Sequence, residues 1–531
     1  MHLCIPEATA NVNGAEGAHR LKRVAATFIP PVVIDRRDKP PMHRQICAWF
    51  QCAIAEGRMR SGGRVPSSRE LAAELGVSRG SVVNAYEQLL AEGYFETSVG
   101  VGTHIAKSIP GEFPTTRMWH AGDPAVHEKN VAHRQISDRA SLWNNPVTQP
   151  WLNAPGAFGV SLPALDHFPV DVWSKLMARH SRGVSRTMLT YGDPMGYGPL
   201  REAIAEYVRT VRGVRCDASQ VLVTAGSQQG LQIASQVLLN PRDRVCMEEP
   251  GYPGARQAFA MANAEIVPIS VDAEGIIVSE LEAKGKCAKL VYVTPSHQYP
   301  MGVTMSSRRR MLLLNWACQN GTWIIEDDCD SEYPFDGRPI ASLQGLDADA
   351  RVLYVGTFSQ AMYPALRLGY LVLPKDLTTA CIAVRDCMDR FSPTLNQSVM
   401  AEFIREGHFA RHLRRMRMIY SERRKAIMEV LQTNLCDSAE IIGAEAGLHL
   451  VILLRPGVDD AAVANEAAAI GMSVMPLSSC RTTAGGRCGL VLGYGCVDVQ
   501  GIQEGVRKLG MCIERVGGTA TRSTTNGSGW K

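Results

Sequence analysis

A turn at residues 223–230 combines the residue types that bind phosphate. It reads Val-Thr-Ala-Gly-Ser-Gln-Gln-Gly, a sequence typical of a strand, a turn and the start of a helix. Gly226, Ser227 and Gln228 would stand where free backbone amides and the positive end of the helix dipole attract an anion. Because Gly-Ser turns before helices are common, this turn marks a phosphate site only when other groups converge on it.

The side chain of Gln360 limits the chemistry that the run Thr357-Phe358-Ser359-Gln360 can perform. The nitrogen lone pair of an amide is delocalised into its carbonyl group. Gln360 can therefore hydrogen-bond a ligand, but it cannot act as the nucleophilic amine that covalent catalysis on carbonyl compounds requires.

Five apolar runs indicate the strands that must position these residues. The runs alternate with helical patterns, which predicts a largely parallel sheet sandwiched by helices. They cover residues 221–223, 244–247, 290–293, 323–326 and 352–354. Ligands of such sheets bind beyond the carboxyl ends of the strands, which is where the turn at 226–228, Asp327 and Gln360 fall.

A different pattern, of short amphipathic helices, precedes this region. Apolar residues recur at every fourth position from Ile46, which predicts one buried helix face. A serine pair beginning at Ser67 can cap a second helix that ends at Gly76, and Ser78 can cap a third. Two helices joined by Gly-Val-Ser are typical of a helix-turn-helix. Two strand-like runs with glycines between them follow and predict a β wing.

The composition describes a globular chain of more than one domain. Its 531 residues suggest about two to four domains. The net charge of +4 is too small to identify a nucleic-acid binder, so a basic face would have to be local. The fifteen cysteines show neither CxxC pairs nor a Cys/His ligand spacing, which favours reduced thiols in a cytoplasmic protein and predicts no metal site. No apolar run approaches the roughly 20 residues of a membrane helix.

The segment 354–370 resembles the cofactor-attachment segment of fold-type I pyridoxal phosphate (PLP) enzymes. It is most similar to the aminotransferase-like domain of MocR/GabR-type regulators, in which a lysine at the position of Gln360 carries PLP as a Schiff base. The resemblance implies that Tyr252 stacks on the pyridine ring, that Asp327 contacts its nitrogen and that Arg367 contacts the phosphate. It also implies that the turn at 226–228 contributes to the phosphate site.

The sequence differs from the family at two positions on the reactive side of this pocket. Gln360 replaces the lysine, and Cys329 stands where the family has a tyrosine that touches the ring hydroxyl. We therefore expect that PLP, if it binds, is held without a covalent bond and that the domain is catalytically inactive. Arg487, or with less support Arg481, is a candidate for holding the carboxylate of a small-molecule amine or amino-acid effector.

Residues 66–94 and the glycines that follow resemble the GntR-type winged helix-turn-helix over its whole length. The resemblance implies that certain residues approach an operator in double-stranded DNA; they are Arg69, Ser78, Arg79, Ser81, Gly100 and Gly102. The residue types suit the role, since arginine can contact guanine or phosphate, and a hydroxyl group at a helix N-terminus suits phosphate. Gly80 departs from the polar residue common in the family, which removes one potential contact.

The two resemblances together define the predicted organisation of the chain. We expect a mainly α winged helix-turn-helix with a small β wing, joined to an α/β three-layer aminotransferase fold of type I with a small C-terminal α+β subdomain. The predicted parts are an extension (1–34), the DNA-binding domain (35–107), a linker (108–155), the aminotransferase-like domain (156–515) and a flexible tail (516–531). Because the family forms head-to-tail dimers, the resemblance also implies a homodimer.

Three functional hypotheses follow from this organisation. The first is a DNA-binding transcription regulator whose second domain dimerises and senses PLP or an effector. The second is a PLP-dependent aminotransferase-like enzyme, which requires an amine at position 360. The third is a regulator whose second domain has lost its ligands and serves only as a dimerisation scaffold.

Overall fold

The protein is described from a computed structural model that covers residues 40–98, 102–107, 156–335, 341–435 and 439–525. The chain separates into two compact units, residues 1–142 and 143–531. The predicted extension and linker lie outside the described residues, and so does Gly100. Within the described ranges, no helix combines the length and the apolar character that crossing a bilayer would demand.

The N-terminal unit contains three helices followed by a two-stranded hairpin. They are α1 (Met42–Ala55), α2 (Ser68–Leu75), α3 (Arg79–Ala91), β1 (Phe95–Ser98) and β2 (Gly102–Ile105). The strands pair antiparallel, with Phe95 opposite Ile105. The rings of Phe50, Tyr86 and Phe95 meet edge to face at the centre, so the helices and the wing share one core.

The caps that the sequence predicted begin and end these helices. Ser67 accepts a hydrogen bond from the backbone N–H of Glu70, and the Glu70 side chain accepts one from the Ser67 backbone, which is a complete capping box. Gly76 ends α2 in the left-handed conformation, with φ of 61°. The Ser78 hydroxyl caps α3 by accepting from the backbone N–H of Ser81. The predicted winged helix-turn-helix fold is confirmed.

The C-terminal unit is built on an eight-stranded sheet flanked by helices. Its strands are β3 (Val221–Thr224), β4 (Arg244–Glu249), β5 (Glu265–Asp272), β6 (Gly275–Ile276), β7 (Ala288–Val293), β8 (Trp323–Asp327), β9 (Val352–Thr357) and β10 (Gly369–Val372). Its helices are α4 (Val170–Arg182), α5 (Gly198–Arg212), α6 (Ser227–Leu238), α7 (Pro253–Met261), α8 (Val278–Lys284), α9 (Ser307–Asn320), α10 (Leu343–Leu346), α11 (Thr378–Met388), α12 (Thr394–Arg405) and α13 (His408–Leu435).

The order of strands across this sheet is β3-β10-β9-β8-β7-β4-β5-β6. Neighbours from β9 to β5 pair in parallel, as the alternation of strands and helices predicted. β10 runs antiparallel to both β3 and β9. The sheet is therefore mixed, and the carboxyl ends of β3, β4, β7, β8 and β9 point to one edge, where a ligand site is expected.

A smaller antiparallel sheet completes the unit. Its strands are β11 (Ala439–Ile442), β12 (His449–Leu454), β13 (Met475–Pro476) and β14 (Gly489–Gly493), in the order β11-β12-β14-β13, with α14 (Asp460–Ala469) and α15 (Val499–Thr525) against it. Helix α15 runs beyond the predicted boundary at 515, so residues 516–525 extend a helix where a flexible tail was expected. Buried Cys512 and Ile513 hold this helix in the core, and helix propagation from an existing turn costs little.

Candidate functional site

The edge where the parallel strands end borders a cavity of about 400 Å³. This volume lies within the range of small-molecule sites. The lining residues are Gly159, Val160, Ser161, Leu162, Ser227, Gln228, Tyr252, Tyr292, Thr294, Tyr299, Cys329, Thr357, Ser359, Gln360, Pro364, Arg367, Ser473 and Met475. Of the residues predicted for the PLP site, Ser227, Gln228, Tyr252, Gln360 and Arg367 therefore share one cavity, although they lie far apart in the sequence.

Several polar groups of the kind that suits phosphate line this cavity. They are the guanidinium of Arg367 and the hydroxyl groups of Ser227, Thr357 and Ser359. The Thr357 and Ser359 hydroxyls lie 3.0 Å apart, and the backbone N–H of Ser359 donates to Thr357 Oγ1. Ser227 begins α6, so the positive end of that helix adds to the charge of Arg367.

Gly226 allows Arg367 to lie close to the turn that precedes α6. The Arg367 guanidinium donates to the carbonyl oxygen of Ala225, and a Cβ atom at position 226 would lie only 3.1 Å from Arg367 Nη2. Gly226 also has φ of 100°, a conformation that a residue with a side chain rarely adopts. Glycine is thus required at 226 both by backbone conformation and by contact.

Gln360 lies in the loop that follows β9, and its side chain reaches this cavity. The side chain is 8% exposed and lines the cavity, yet its Oε1 atom has no hydrogen-bond partner. A buried amide oxygen without a partner costs free energy of about 1–3 kcal/mol. This oxygen could accept a hydrogen bond from a donor placed beside it.

Asp327, at the end of β8, lies behind the cavity wall rather than in the lining. Tyr292 donates its hydroxyl to Asp327 Oδ2 at 2.8 Å, and the Cys329 thiol donates to Oδ1 at 3.0 Å. Burial raises the pKa of Asp327 to about 6. Burial also raises the pKa of the Cys329 thiol, which keeps it a donor at neutral pH. Each oxygen of Asp327 thus already accepts one hydrogen bond and keeps a further lone pair.

The acidic residues at the end of β8 and just after it have different partners. Glu326 accepts hydrogen bonds from the backbone N–H groups of Leu343 and Gln344 at the start of α10. Asp328 forms a buried, two-pronged ion pair with Arg212, at 2.7 and 3.0 Å. Asp327 is therefore the one of these three carboxylates that is directed toward the cavity wall.

The structure does not bring the predicted effector arginine to this cavity. The guanidinium of Arg487 is half exposed and forms an ion pair with Glu440 on β11. Arg481, the alternative, donates to the carbonyl oxygens of Gly485 and Arg487 in its own loop. Sequence spacing could not reveal these local partners. Among the described lining residues Arg367 is the one arginine, so no second guanidinium faces the cavity.

The N-terminal unit gathers its predicted DNA contacts at the start of two helices. Arg69 lies in the first turn of α2, while Ser78, Arg79 and Ser81 lie at the start of α3. The side chains of Arg69 and Arg79 are exposed. Arg79 Nε lies 3.5 Å from the hydroxyl of Ser68, so both helix N-termini open on one face. Two helix dipoles and two guanidinium groups make this face attractive to a phosphate backbone.

Arg64 joins this face beside the wing, although no sequence motif singled it out. It forms a β-bridge with His104 in the second wing strand. A Cβ atom at Gly102 would lie 3.7 Å from Arg64 Nε, so the exposed guanidinium covers the wing glycine. Only the fold brings Arg64 and Gly102 together, because 38 residues separate them in the sequence.

Comparisons with known proteins agree with both units. Residues 44–105 match the family of bacterial regulatory proteins of the gntR family, and residues 158–490 match aminotransferase class I and II. The chain is 35% identical to the probable rhizopine catabolism regulatory protein MocR of Rhizobium meliloti, over 90% of this chain and 95% of the relative. It is 29% identical to the pyridoxine biosynthesis transcriptional regulator PdxR of Corynebacterium glutamicum, over 88% and 95%.

Solved structures of aminotransferases share the fold of the C-terminal unit. The α-aminoadipate aminotransferase LysN of Thermus thermophilus, complexed with N-(5'-phosphopyridoxyl)-L-leucine, superposes with a TM-score of 0.67 at 28% identity. The match covers 72% of this chain and 97% of LysN. A multiple substrate aminotransferase from Thermococcus profundus gives a TM-score of 0.66 at 29% identity, with 72% and 97% covered.

A winged helix-turn-helix joined to a unit with the fold of an aminotransferase defines a class of transcription regulators that bind DNA operators. The chain belongs to the MocR-type regulators of the GntR family.

Proposed function

We propose that the C-terminal unit binds PLP without a covalent bond and acts as a ligand sensor for the DNA-binding unit rather than as an enzyme. One observation carries the proposal. A buried amide with an unpaired oxygen, Gln360, occupies the reactive position of a cavity whose phosphate-binding end is complete. LysN, which shares the fold, is known in complex with a phosphopyridoxyl compound, and the relative PdxR is named for pyridoxine biosynthesis.

The residues around the cavity fit the chemical parts of PLP. The charge and hydroxyl groups at the Arg367 end suit its phosphate, which is a strong acceptor of charge-assisted hydrogen bonds. Tyr252 presents an aromatic ring, held edge to face against Tyr299 at 5.2 Å between ring centres, beside the space for the pyridine ring. When bound, PLP supplies an electron-withdrawing ring and an aldehyde, and Gln360 can hydrogen-bond that aldehyde but not attack it.

The same residues argue against an aminotransferase activity. An aminotransferase requires a lysine amine to hold and release PLP, and Gln360 offers none. Position 329 carries a cysteine in place of the family's tyrosine. Its thiol hydrogen-bonds Asp327, and it has no phenol group to contact the ring hydroxyl. The sensor would respond to a small-molecule amine or amino acid as its effector. Operator binding places the chain in the cytoplasm, with the chromosome.

We expect PLP, but not pyridoxal, to bind the purified protein, because the phosphate end provides most of the specific contacts. The substitution Arg367→Gln removes charge-assisted hydrogen bonds worth about 1.5–3 kcal/mol and should weaken PLP binding by roughly tenfold or more. Fluorescence titration measures both affinities. Intact-mass measurement after borohydride treatment should show no added cofactor mass on the wild-type protein.

The control for this test is Arg405→Gln, since Arg405 is half exposed and forms an ion pair with Glu202 away from the cavity lining. Equal binding of PLP and pyridoxal would contradict the phosphate assignment. If the wild-type protein does not bind PLP at all, the sensor hypothesis is wrong, and the hypothesis of a scaffold that only dimerises takes its place.

We also propose that the chain forms a homodimer through apolar residues of the segment 165–191. Leu189 and Tyr191 are each 77% exposed, and Leu165 and Val170 of the same segment are more than half exposed. Contiguous exposed apolar side chains are typical of interaction sites, and we infer that those of this segment are covered in the dimer.

The double substitution of Leu189→Glu and Tyr191→Glu should convert the dimer into a monomer, because charged carboxylates would have to be desolvated at the interface. Sedimentation velocity at micromolar protein measures the change. Met511→Glu is the matched control, since Met511 is 53% exposed on α15. A double variant that sediments as the wild type would exclude this segment from the interface.

A further inference from the structure

We propose that His297, Asp330 and His449 form a binding site for one divalent cation of the Zn²⁺ type, which joins the two sheets of the C-terminal unit. None of the cysteines participates, and the three residues are separated by 33 and 119 positions in the sequence. The proposal adds a metal centre to a protein whose cysteine and histidine spacing predicted none.

The three side chains form a buried cluster. Their side chains are 1–2% exposed. Asp330 Oδ2 lies 3.8 Å from His297 Nδ1 and 3.7 Å from His449 Nδ1, and one ligand atom from each residue lies within 4.8 Å of the others. These distances are too long for hydrogen bonds and leave room for an ion between the three groups.

The unpaired atoms of the cluster are the strongest evidence for a cation. Asp330 Oδ1, His297 Nε2 and His449 Nδ1 are buried and have no hydrogen-bond partner. His449 Nε2 lies 3.1 Å from the carbonyl oxygen of Pro300, and a carbonyl can only accept, so this nitrogen carries the proton. The other nitrogen of His449, Nδ1, faces Asp330 Oδ2 at 3.7 Å. A cation between the two groups would offset the cost of burying the Nδ1 atom of His449 without a partner.

The same hydrogen bond is typical of histidines that bind metals. A ligating imidazole almost always donates its second N–H to a carbonyl or a carboxylate, which fixes the tautomer and the ring orientation. His449 already has this arrangement through Pro300. Two imidazoles and one carboxylate suit zinc and its first-row neighbours, with open positions left for water or a further ligand.

The backbone around the cluster holds the ligands in place. Asp330 adopts φ of 63°, in the left-handed region that aspartate and asparagine tolerate better than most residues. Gly447 packs directly against the ring of His297, where a Cβ atom would lie 2.4 Å from Cε1. Ligand atoms bound tetrahedrally at about 2.0–2.1 Å lie roughly 3.4 Å apart. Binding would therefore draw both rings toward Asp330 and bring together ligand atoms that now lie up to 4.8 Å apart.

The positions of the three ligands indicate which parts of the fold the ion would connect. His297 follows β7 and Asp330 follows β8 of the large sheet, whereas His449 is the first residue of β12 in the small sheet. A bound cation would link the two sheets next to the ligand cavity, whose lining residue Tyr299 packs its ring against His449 at 5.4 Å. We therefore expect the ion to stabilise the arrangement of the small sheet against the large one.

The test uses the untagged, full-length protein and two metals, Zn²⁺ and Co²⁺. Metal content per chain is measured by mass spectrometry after purification without chelators. The protein is then stripped with a chelator and titrated with Co²⁺, which reports its coordination by visible absorption. We expect one equivalent of cation per chain, the spectrum of a four- or five-coordinate nitrogen and oxygen site, and a higher melting temperature with metal.

The substitutions Asp330→Asn and His449→Gln should each weaken metal binding by at least about tenfold, the smallest effect expected when even an outer contact of a metal site is lost. Asp330→Asn keeps the size of the side chain and its tolerance of positive φ. His412→Gln is the matched control, because buried His412 hydrogen-bonds the carbonyl oxygen of Ala361 outside the cluster.

Three results would overturn the proposal, and the first two use the wild-type protein alone. The first is wild-type protein that neither retains nor takes up an equivalent of Zn²⁺ or Co²⁺, which would assign a proton to the cluster instead. The second is a cobalt spectrum of six-coordinate, water-bound ions at exposed residues. Metal affinity that is equal in Asp330→Asn and His412→Gln would place the ion elsewhere.

Discussion

Replacing Gln360 with lysine should convert a protein that releases PLP on denaturation into one that retains one PLP per chain after borohydride treatment. The substitution supplies an amine in the cavity that Ser227, Gln228 and Arg367 also line, where we propose that PLP binds. The side chain enters a site that already holds a long polar residue, 8% exposed, so little rearrangement is needed. The absorbance of the imine measures covalent attachment before reduction. Peptide mass mapping after reduction shows whether the cofactor is on residue 360.

Two further variants serve as controls for Gln360→Lys. Gln360→Met has similar length but no amine, so it should fold and gain no covalent cofactor. Ser359→Lys places the amine one residue away and should gain much less. Folded Gln360→Lys that takes up no PLP, even in excess, would mean that the phosphate and ring contacts are absent and that the scaffold hypothesis applies.

Covalent attachment and catalysis should separate in these variants. In Gln360→Lys, the Cys329 thiol still hydrogen-bonds Asp327, and no phenol group is available at the ring hydroxyl. We expect little transamination from this variant alone and more when Cys329→Tyr is combined with it, because a reactive group needs correctly placed neighbours. Assays of amino transfer to a 2-oxo acid, set beside the extent of attachment, distinguish the two properties.

Local sequence signals predicted the elements of this fold well. Ser67, Ser78 and Gly76 begin or end helices as expected, because capping depends on hydrogen bonds between residues only a few positions apart. The apolar runs identified five strands of the large sheet for a similar reason, since burial on both faces leaves a continuous apolar pattern. The family resemblance added the overall fold.

Long-range partners were beyond the reach of the sequence. Three aspartates occur within four residues of the chain but have different partners. Asp327 is directed toward the wall of the ligand cavity, Asp328 pairs with Arg212, and Asp330 faces two histidines. Nothing local distinguishes these three carboxylates. The same limit applies to Arg487, because its ion pair with Glu440 depends on how the small sheet is assembled.

Replacing Arg79 with alanine should weaken binding to operator DNA by about tenfold or more and flatten its salt dependence. Each phosphate contact contributes about −0.9 to the slope of log affinity against log salt concentration, so the loss of one contact per protomer reduces the slope by nearly one for each protomer bound. Arg69→Ala should act similarly from the start of α2. The loss in affinity reflects a charge-assisted hydrogen bond of roughly 1.5–3 kcal/mol.

A duplex selected by the wild-type protein from a randomised pool serves as the probe, with affinity measured at several salt concentrations. Arg58→Ala is the matched control, because the Arg58 guanidinium already pairs with Glu56 in the same unit. Arg64→Ala tests the contact beside the wing that only the fold revealed, and it should flatten the slope as Arg79→Ala does. If Arg69→Ala and Arg79→Ala bind as the control does at every salt concentration, the start of α2 and α3 is not the surface that meets DNA.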